Sequence, residues 1–231
     1  MKYKLGMVSI KGKYHKINQD RAIVKSFPFG SVVALADGLG SLSHSDVGAQ
    51  AYCDSVINLA EKYQCKIDDM ECFLRDLHIS WKKKIEEQNL SIDQCGCTAL
   101  LVVIGFGIYY AFHIGDGVLG IMADDEFLIL LEDKDLYFAN CTDPMCEEYD
   151  YTKWKVNSKS FSNLQGIYLS SDGVELADMT PHGIKDFMAS FINEYQRLSI
   201  KEAEKDIEGW LSNWPSEDDK TIAFLLRNDE L

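Results

Sequence analysis

The middle of the sequence contains four short apolar runs, and only three or four residues separate each run from the next. The runs are rich in β-branched and aromatic residues and are predicted to be strands. They cover residues 97–104, 108–113, 118–122 and 127–131. The connections contain Gly105-Phe106-Gly107, Gly115-Asp116-Gly117 and Asp124-Asp125, which are turn signals typical of β-hairpins. Strands joined so closely must pair antiparallel, so the sequence predicts antiparallel sheet.

Strands and helices occur in groups on either side of this region rather than in strict alternation. Before it, the pattern predicts strands over 3–10, 21–27 and 31–36, a helix opened by Ser45-Asp46 and a helix over 69–88. Residues 133–164 are polar, aromatic and irregular, and are predicted to form a loop or flap. The last part predicts a strand over 166–170, helices over 182–197 (Thr180 as N-cap, Pro181 at its first position) and 200–211, and a strand over 221–226. This grouping favours the α+β class, with antiparallel sheets covered by helices.

The composition favours one folded domain spanning residues 1–231. With 46% apolar and 11% aromatic residues the chain can bury a sizeable core. It has only 4 Pro and 16 Gly, and no stretch rich in Pro, Gly or Ser interrupts the hydrophobic pattern as a linker would. The formal net charge of −14 argues against nucleic-acid partners, because such binding depends on Lys and Arg neutralising phosphates.

The cysteines and the N-terminus indicate a cytoplasmic protein. The seven cysteines are scattered, and Cys95-Gly96-Cys97 lacks the spacing of a zinc site, so free thiols in a reducing compartment are expected. No apolar stretch follows the N-terminal lysines as in a signal peptide, and no run is long enough to span a bilayer. We expect a monomer without a membrane partner.

Four aspartates share one sequence context, because each is predicted to lie where a strand begins or ends, beside Gly or another polar residue. They are Asp20, Asp37, Asp172 and Asp218. Each alone is explained equally well by a plain turn, since Asp and Gly dominate turns. If the four converge, their like charges are costly unless cations neutralise them, and hard cations such as Mg²⁺ and Mn²⁺ take oxygen ligands. The spacing alone therefore leaves turns and a metal site as alternatives.

Six segments, in order along the chain, resemble the motifs of the metal-dependent type 2C protein serine/threonine phosphatases. They are Asn18-Gln19-Asp20, Ala36-Asp37-Gly38-Leu39-Gly40, Gly96-Cys97-Thr98-Ala99, His113-Ile114-Gly115-Asp116-Gly117, Leu169-Ser170-Ser171-Asp172-Gly173-Val174 and Asp218-Asp219-Lys220-Thr221. Each motif is loose alone, but six in the correct order over residues 6–227 are specific. The resemblance is to a divergent, bacterial-like branch of the family.

The resemblance implies an α-β-β-α sandwich with two Mn²⁺ or Mg²⁺ ions at its edge, and a phosphoserine or phosphothreonine protein as substrate. It implies that Asp37 bridges the two ions, that the Gly38 carbonyl binds one of them, and that Asp172 and Asp218 bind the other. Asp20 would act directly or through water, and Asp116 matches the position of a third, weaker ion, unless it is only a turn residue. A water activated between the two ions would attack phosphorus in line.

The stretch before Asp20 departs from the family pattern. Members carry a phosphate-binding Arg there, whereas this chain reads Lys11-Gly12-Lys13-Tyr14-His15-Lys16. His15 is the candidate replacement, and it would donate one hydrogen bond to the phosphate where Arg donates two. The alternative is that His15 is a surface histidine without a role. Gln19 replaces the commoner Glu, and Asp219 stands where Asn is usual.

Three functions follow from these features. The first is an active phosphoprotein phosphatase with Asp20, Asp37, Asp172 and Asp218 as its catalytic residues. The second is a binding module that keeps the fold as part of a signalling switch, which the missing Arg favours. The third is a metal-dependent hydrolase of small phosphate esters.

Overall fold

Two five-stranded antiparallel sheets form the centre of the computed structural model, which describes residues 3–132 and 142–228. The first sheet has the order β1-β10-β9-β6-β7 and the second the order β2-β3-β4-β5-β8. The strands are β1 (Tyr3–Ile10), β2 (Arg21–Phe27), β3 (Gly30–Ala36), β4 (Ala99–Gly105), β5 (Ile108–Ile114), β6 (Val118–Ala123), β7 (Glu126–Leu131), β8 (Lys155–Ser160), β9 (Leu164–Ser170) and β10 (Lys220–Arg227).

Four helices cover the outer faces of the sheets. α1 (Ser45–Tyr63) and α2 (Met70–Glu86) pack on the second sheet, while α3 (Pro181–Tyr195) and α4 (Ile200–Leu211) pack on the first. The Thr180 side chain accepts a hydrogen bond from the Gly183 N–H and Pro181 occupies the first turn, as predicted. The resulting order of layers is helix, sheet, sheet, helix, and the expected α-β-β-α sandwich is confirmed.

The alternation of side chains along the central strands produces the three layers of core. In β4, Leu100 and Val102 face the other sheet, whereas Leu101 and Val103 face α1 and α2. Successive side chains of a strand point to opposite faces, so a strand buried on both sides is apolar at every position. This explains why β4 reads as a continuous apolar run in the sequence.

The connection between β5 and β6 is not the predicted hairpin. β5 pairs with β4 and β8 in the second sheet, whereas β6 pairs with β7 and β9 in the first. Gly115 and Gly117 have φ angles of +96° and +94°, a backbone conformation that side chains disfavour, and the chain crosses between the sheets there. Asp116 consequently lies at the end of both sheets, and not at the tip of a hairpin.

The predicted loop over 133–164 contains a strand. β8 pairs with β5 along its whole length and forms an edge of the second sheet. Its sequence, mostly polar, gives no apolar alternation because one face of this edge strand is exposed. Before it, Tyr149, Tyr151 and Trp154 pack against the core cluster under α2, so these aromatics serve packing. The prediction for residues 133–141 lies outside the described residues.

None of the helices in the described part of the chain is both long enough and apolar enough to cross a bilayer.

Candidate metal centre

The strand pairings bring the predicted aspartates to one end of the sandwich. In the second sheet Arg21 pairs with Ala36, so Asp20 before β2 and Asp37 after β3 are neighbours. In the first sheet Ile222 pairs with Ser170, so Asp218 before β10 and Asp172 after β9 lie at one edge. The predicted position of all four at strand ends is therefore what the structure shows.

Hydrogen bonds across the sandwich connect these two edges. The Ser171 hydroxyl of the first sheet donates to Asp20 Oδ2 at 2.8 Å. The Gln19 N–H donates to Asp219 Oδ2 at 2.7 Å, and the Gln19 carbonyl oxygen accepts from the Gly38 N–H at 3.3 Å. Because these bonds join the starts of β2 and β10 to the end of β3, both sheets contribute to a single site.

Asp20 and Asp37 form an electrostatically unfavourable pair. Asp20 is only 2% exposed, and burial, opposed by hydrogen bonds from Thr221 and Ser171, raises its pKa to about 7. Burial raises the pKa of Asp37 well above its usual value, and the charges of Asp20, Asp172 and Asp116 raise it further. Four carboxylates therefore lie near one another, and negative charge is costly on Asp20 and Asp37.

Two buried oxygen atoms at this site are left without a hydrogen bond. Among the described residues, Asp20 Oδ1 and Gln19 Oε1 are enclosed and have no donor within reach. A buried oxygen without a partner costs about 1–3 kcal/mol, and an additional positive group beside it removes that cost. These orphaned oxygens, together with the carboxylate cluster, fit a hard divalent cation.

The protein ligands alone do not complete a metal site. Within residues 3–132 and 142–228, no three His, Cys, Asp or Glu side chains are already arranged to hold one ion. Mg²⁺ commonly uses only one or two carboxylates and retains several waters, so an incomplete set of side chains agrees with that ion class. Asp218 in particular has its Oδ1 turned onto the Asp219 N–H at 2.8 Å. The set of metal ligands therefore remains a prediction, and it consists of Asp20, Asp37, Gly38, Asp116, Asp172 and Asp218.

A family model described as protein phosphatase 2C matches residues 13–212, which is most of the chain. The chain belongs to the protein phosphatase 2C family. Solved structures with this fold include the catalytic domain of the serine/threonine phosphatase PstP in complex with two manganese ions, at 14% identity, 97% coverage of both chains and a TM-score of 0.68. A search of curated protein sequences found no match.

Two further structures in the family show the same fold. The serine/threonine phosphatase of S. agalactiae is 17% identical, covering 97% of this chain and 99% of its own, with a TM-score of 0.68. RsbX in complex with magnesium is also 17% identical, with the same coverage and a TM-score of 0.63. At such identities the likeness establishes only the fold. The activity of this chain has to be argued from its own residues.

His15 differs from the family pattern, and the structure places it beside the site. Its ring lies against Gly40, where a Cβ atom would come within 2.9 Å of His15 Cε1 and Nε2. The absence of a side chain at Gly40 therefore makes room for the imidazole, three residues after Asp37. This position agrees with the predicted phosphate contact, whose role stays a prediction.

Several residues that support this protein phosphatase 2C site were not predicted from the sequence. The Ser171 and Thr221 side chains hydrogen-bond Asp20, and the Thr98 hydroxyl accepts from the Asp37 N–H at 2.9 Å. Asp219 accepts from two backbone N–H groups, those of Gly12 and Gln19, both at 2.7 Å. These four residues lie inside the family motifs, and their place in those motifs was the only indication of a role in the sequence. Their hydrogen-bond partners are up to 207 residues away, so no local pattern reveals them.

Cys97 lies within this region but is not a nucleophile. It is fully buried, and burial raises the pKa of its thiol well above the usual value. The thiolate, which is the reactive form, is therefore disfavoured. This environment suits Cys97 as a small buried side chain.

Proposed function

We propose that this protein is a metal-dependent serine/threonine phosphoprotein phosphatase that hydrolyses phosphate monoesters without a phosphorylated enzyme intermediate. The observation that carries the proposal is the pair formed by the buried Asp20 and the half-buried Asp37, with Asp172 and Asp116 close enough to raise the pKa of Asp37 and with Asp20 Oδ1 unpartnered among the described residues. Negative charge of this kind, concentrated at one end of a protein phosphatase 2C fold, suits divalent cations, and these would in turn bind a phosphate ester.

The proposed ligands of two Mn²⁺ or Mg²⁺ ions are Asp37, the Gly38 carbonyl, Asp172 and Asp218, with Asp20 acting directly or through water. Asp116, at the crossover between the sheets, is the proposed ligand of a third and weaker ion. When bound, such ions stabilise negative charge on phosphoryl oxygens and make water acidic enough to attack phosphorus at neutral pH.

The other side chains hold this arrangement in place. Ser171 and Thr221 fix the orientation of Asp20, and Thr98 holds the backbone of Asp37 through hydrogen bonds in both directions, at 2.9 and 2.7 Å. His15, packed on Gly40, is the proposed donor to the substrate phosphate. A site whose ligands are fixed before the reaction loses little energy to reorganisation.

A second candidate function is a binding module that keeps the fold without catalysis. Two observations favour it: no Arg precedes Asp20, and the described side chains include no ready group of three metal ligands. Under this alternative the protein would bind a partner in a signalling switch and leave its phosphate esters intact.

Turnover in the presence of titrated Mn²⁺ distinguishes these functions. We expect the full chain to hydrolyse p-nitrophenyl phosphate and a phosphothreonine peptide, and to lose both activities in a chelator. Calorimetry with Mn²⁺ measures metal binding independently. Binding without turnover, or neither, would support the module, and hydrolysis of small phosphate esters but not of phosphopeptides would support the third function. The exposed Asp68, outside the site, provides a control as Asp68→Asn.

We propose, in addition, one domain over residues 1–231, a monomeric state and a cytoplasmic location. The one-domain interpretation is supported by the core between the sheets, to which β3 and β4 of one sheet and β9 and β10 of the other all contribute. The six cysteines in the described ranges are free thiols, as expected in a reducing compartment.

A further inference from the structure

The loop between β1 and β2, residues 11–20, exposes an unusual pair of large apolar side chains. We refer to it as the rim loop. Tyr14 is 74% exposed and Ile17 is 51% exposed, and they are two of the five large hydrophobic side chains that are exposed in the described part of the chain. Single exposed apolar residues are ordinary, but two within four positions beside a candidate active site suggest a contact surface.

The same loop concentrates positive charge in an acidic protein. Lys11, Lys13 and Lys16 lie within six residues of a chain whose net charge is −14. Lys13 pairs with Glu217 at 2.8 Å, and the Lys11 ammonium donates to the carbonyl oxygens of Gly12 and His15. Lys16 is exposed and forms no ion pair within residues 3–132 and 142–228. Its charge is therefore available to a ligand.

The rim loop is held rigidly at both of its ends. The Asp219 carboxylate accepts hydrogen bonds from the Gly12 N–H and the Gln19 N–H, so one buried side chain ties together the start and the end of the loop. The Lys13 and Tyr14 N–H groups donate to the Glu217 carbonyl oxygen at 2.7 and 3.3 Å. A surface that is already ordered binds a partner at lower entropic cost.

The position of the loop is next to the proposed phosphate contact. His15 is packed against Gly40 and therefore points toward the turn that carries Asp37. Tyr14 and Lys16 are its immediate neighbours in sequence, and Ile17 follows. A phosphorylated residue bound at His15 would thus place its flanking residues along the rim loop.

We propose that the rim loop is the docking surface for the substrate segment around the phosphorylated residue, and that it selects acidic side chains beside Lys16 and an apolar side chain beside Tyr14 and Ile17. The inference rests on the proposed function. Charge complementarity supports this occupant, because the exposed Lys16 ammonium, which has no ion pair within residues 3–132 and 142–228, attracts an acidic side chain. The loop would therefore determine which flanking residues are preferred and how the substrate segment is aligned with the site.

Three phosphothreonine peptides that differ only in two flanking residues, which are Glu, Gln or Lys, provide the test. We expect the wild-type protein to have the highest kcat/KM with the Glu peptide. Lys16→Gln should reduce that preference about two- to fivefold, the size expected for an exposed charge pair. Lys16→Glu should transfer the preference to the Lys peptide. Lys83→Gln, an exposed lysine on α2, is the matched control and should change nothing.

The apolar part of the surface is tested with a Leu or a Ser beside the phosphothreonine. Tyr14→Ala should remove most of the preference for Leu, whereas Phe106→Ala should not. Phe106 is a matched control because it is 69% exposed at the turn between β4 and β5. Raising the salt concentration should weaken the Glu preference and leave the Leu preference intact, because salt screens only the charges.

Failure of this inference can be distinguished from failure of the proposed function. Turnover of p-nitrophenyl phosphate together with equal kcat/KM for the three peptides would overturn the inference and leave the phosphatase intact. If no substrate is hydrolysed, fluorescence anisotropy with the same labelled peptides decides the question. Preferential binding of the Glu peptide, lost in Lys16→Gln, would then support the docking surface, and equal binding would overturn it.

Discussion

The space between the two sheets and the end of the sandwich that carries the aspartates both contain buried side chains, but these side chains are of opposite kinds. Between the sheets, aliphatic residues such as Leu100, Ile167 and Leu225 are fully enclosed and pack against one another. At the aspartate end, Asp20 and Asp219 are equally enclosed, and Asp20 lies beside further carboxylates that raise its pKa or share its environment. Burial therefore has a favourable sign in one region and an unfavourable sign in the other.

This difference indicates that stability and function are assigned to separate regions. Apolar burial contributes roughly 25 cal/mol per Å² and requires no partner, so the inter-sheet core stabilises the fold under all conditions. The close carboxylates at the aspartate end cost stability as long as their charges are not neutralised, and proteins accept such local violations at functional sites. Substitutions in the two regions should consequently have opposite effects, and four predictions follow in order of decreasing size.

The largest effect is expected from Asp37→Asn. Losing the proposed bridging carboxylate should lower kcat/KM on the order of 10³-fold, or about 4 kcal/mol, because the group acts directly in the chemistry. The same change should raise the unfolding free energy of the metal-free protein, since it removes a charge that burial and Asp20 disfavour. Kinetics and urea unfolding, with and without Mn²⁺, measure the two effects.

Asp172→Asn is the companion variant and should also abolish turnover with the fold intact. Added Mn²⁺ should raise the Tm of the wild-type protein and not that of Asp37→Asn, because a bound ion stabilises only the state that binds it. Near-wild-type rates in either variant, or an equal metal-induced shift in Tm, would show that this end of the sandwich is not a metal centre.

The second prediction concerns the inter-sheet core. Leu225→Ala should lower the unfolding free energy by about 3 kcal/mol, since it leaves a cavity in a closely packed layer. The kcat per folded molecule should stay at the wild-type value, because Leu225 lies in the middle of β10 and the aspartates lie at the strand end. A loss of kcat comparable with the loss of stability would mean that the two regions are not independent.

The third prediction is a pH dependence carried by His113. Burial, with a smaller contribution from Lys155 on β8, lowers its pKa from 6.5 to about 4. Between these two pKa values the His113 ring is protonated in the unfolded chain and neutral in the folded chain. The contribution of His113 to the unfolding free energy is therefore fully present above the unfolded pKa and is lost as the pH falls toward 4. Between about pH 7.5 and about pH 5 the loss should be about 2 kcal/mol.

Unfolding of His113→Gln across this pH range provides the comparison. The variant should lose the part of the pH dependence that the histidine causes, whatever its stability at neutral pH. His182→Gln is the matched control, since His182 is exposed on α3, where it pairs with Asp186. An unchanged pH profile in His113→Gln would show that His113 does not remain neutral in the folded protein.

Most of the fold could be predicted because, in most elements, the pattern of apolar residues indicates either a strand or a helix but not both. β3, β4 and β9 each contain several consecutive apolar residues, and the helices have apolar residues at helical spacing, so their bounds differ from the predicted ones by a few residues at most. β8 was missed because an exposed edge strand needs no apolar alternation. The crossover at Asp116 was misassigned because Gly-Asp-Gly serves a hairpin and a crossover equally well, and only pairing with other strands distinguishes them.

The candidate site shows the same limit. Strand-end aspartates such as Asp37 and Asp172 could be recognised, since the sequence places them after apolar runs. The bonds that organise them, such as Ser171 to Asp20 and Asp219 to Gly12, join residues 151 and 207 positions apart. Such contacts depend on how the two sheets face each other, and no local pattern encodes that arrangement.

The smallest effect is expected from Asp219→Asn, and it tests whether the aspartate end also contains purely positioning groups. The Asp219 carboxylate accepts two N–H groups, whereas an Asn amide offers one acceptor and presents its NH₂ to the other donor. Losing one such bond costs about 1 kcal/mol, so KM for a Glu-flanked phosphopeptide should rise about fivefold as the rim loop loosens.

Because Asp219 contacts backbone and not substrate, kcat should stay within about twofold of the wild-type value, in contrast to Asp37→Asn. Asp150→Asn, which makes the same change in a carboxylate that accepts from the Thr152 N–H away from the site, is the matched control and should change neither constant. A fall in kcat with an unchanged KM would place Asp219 in the chemistry, and the aspartate end would then lack the division between reacting and positioning groups inferred here.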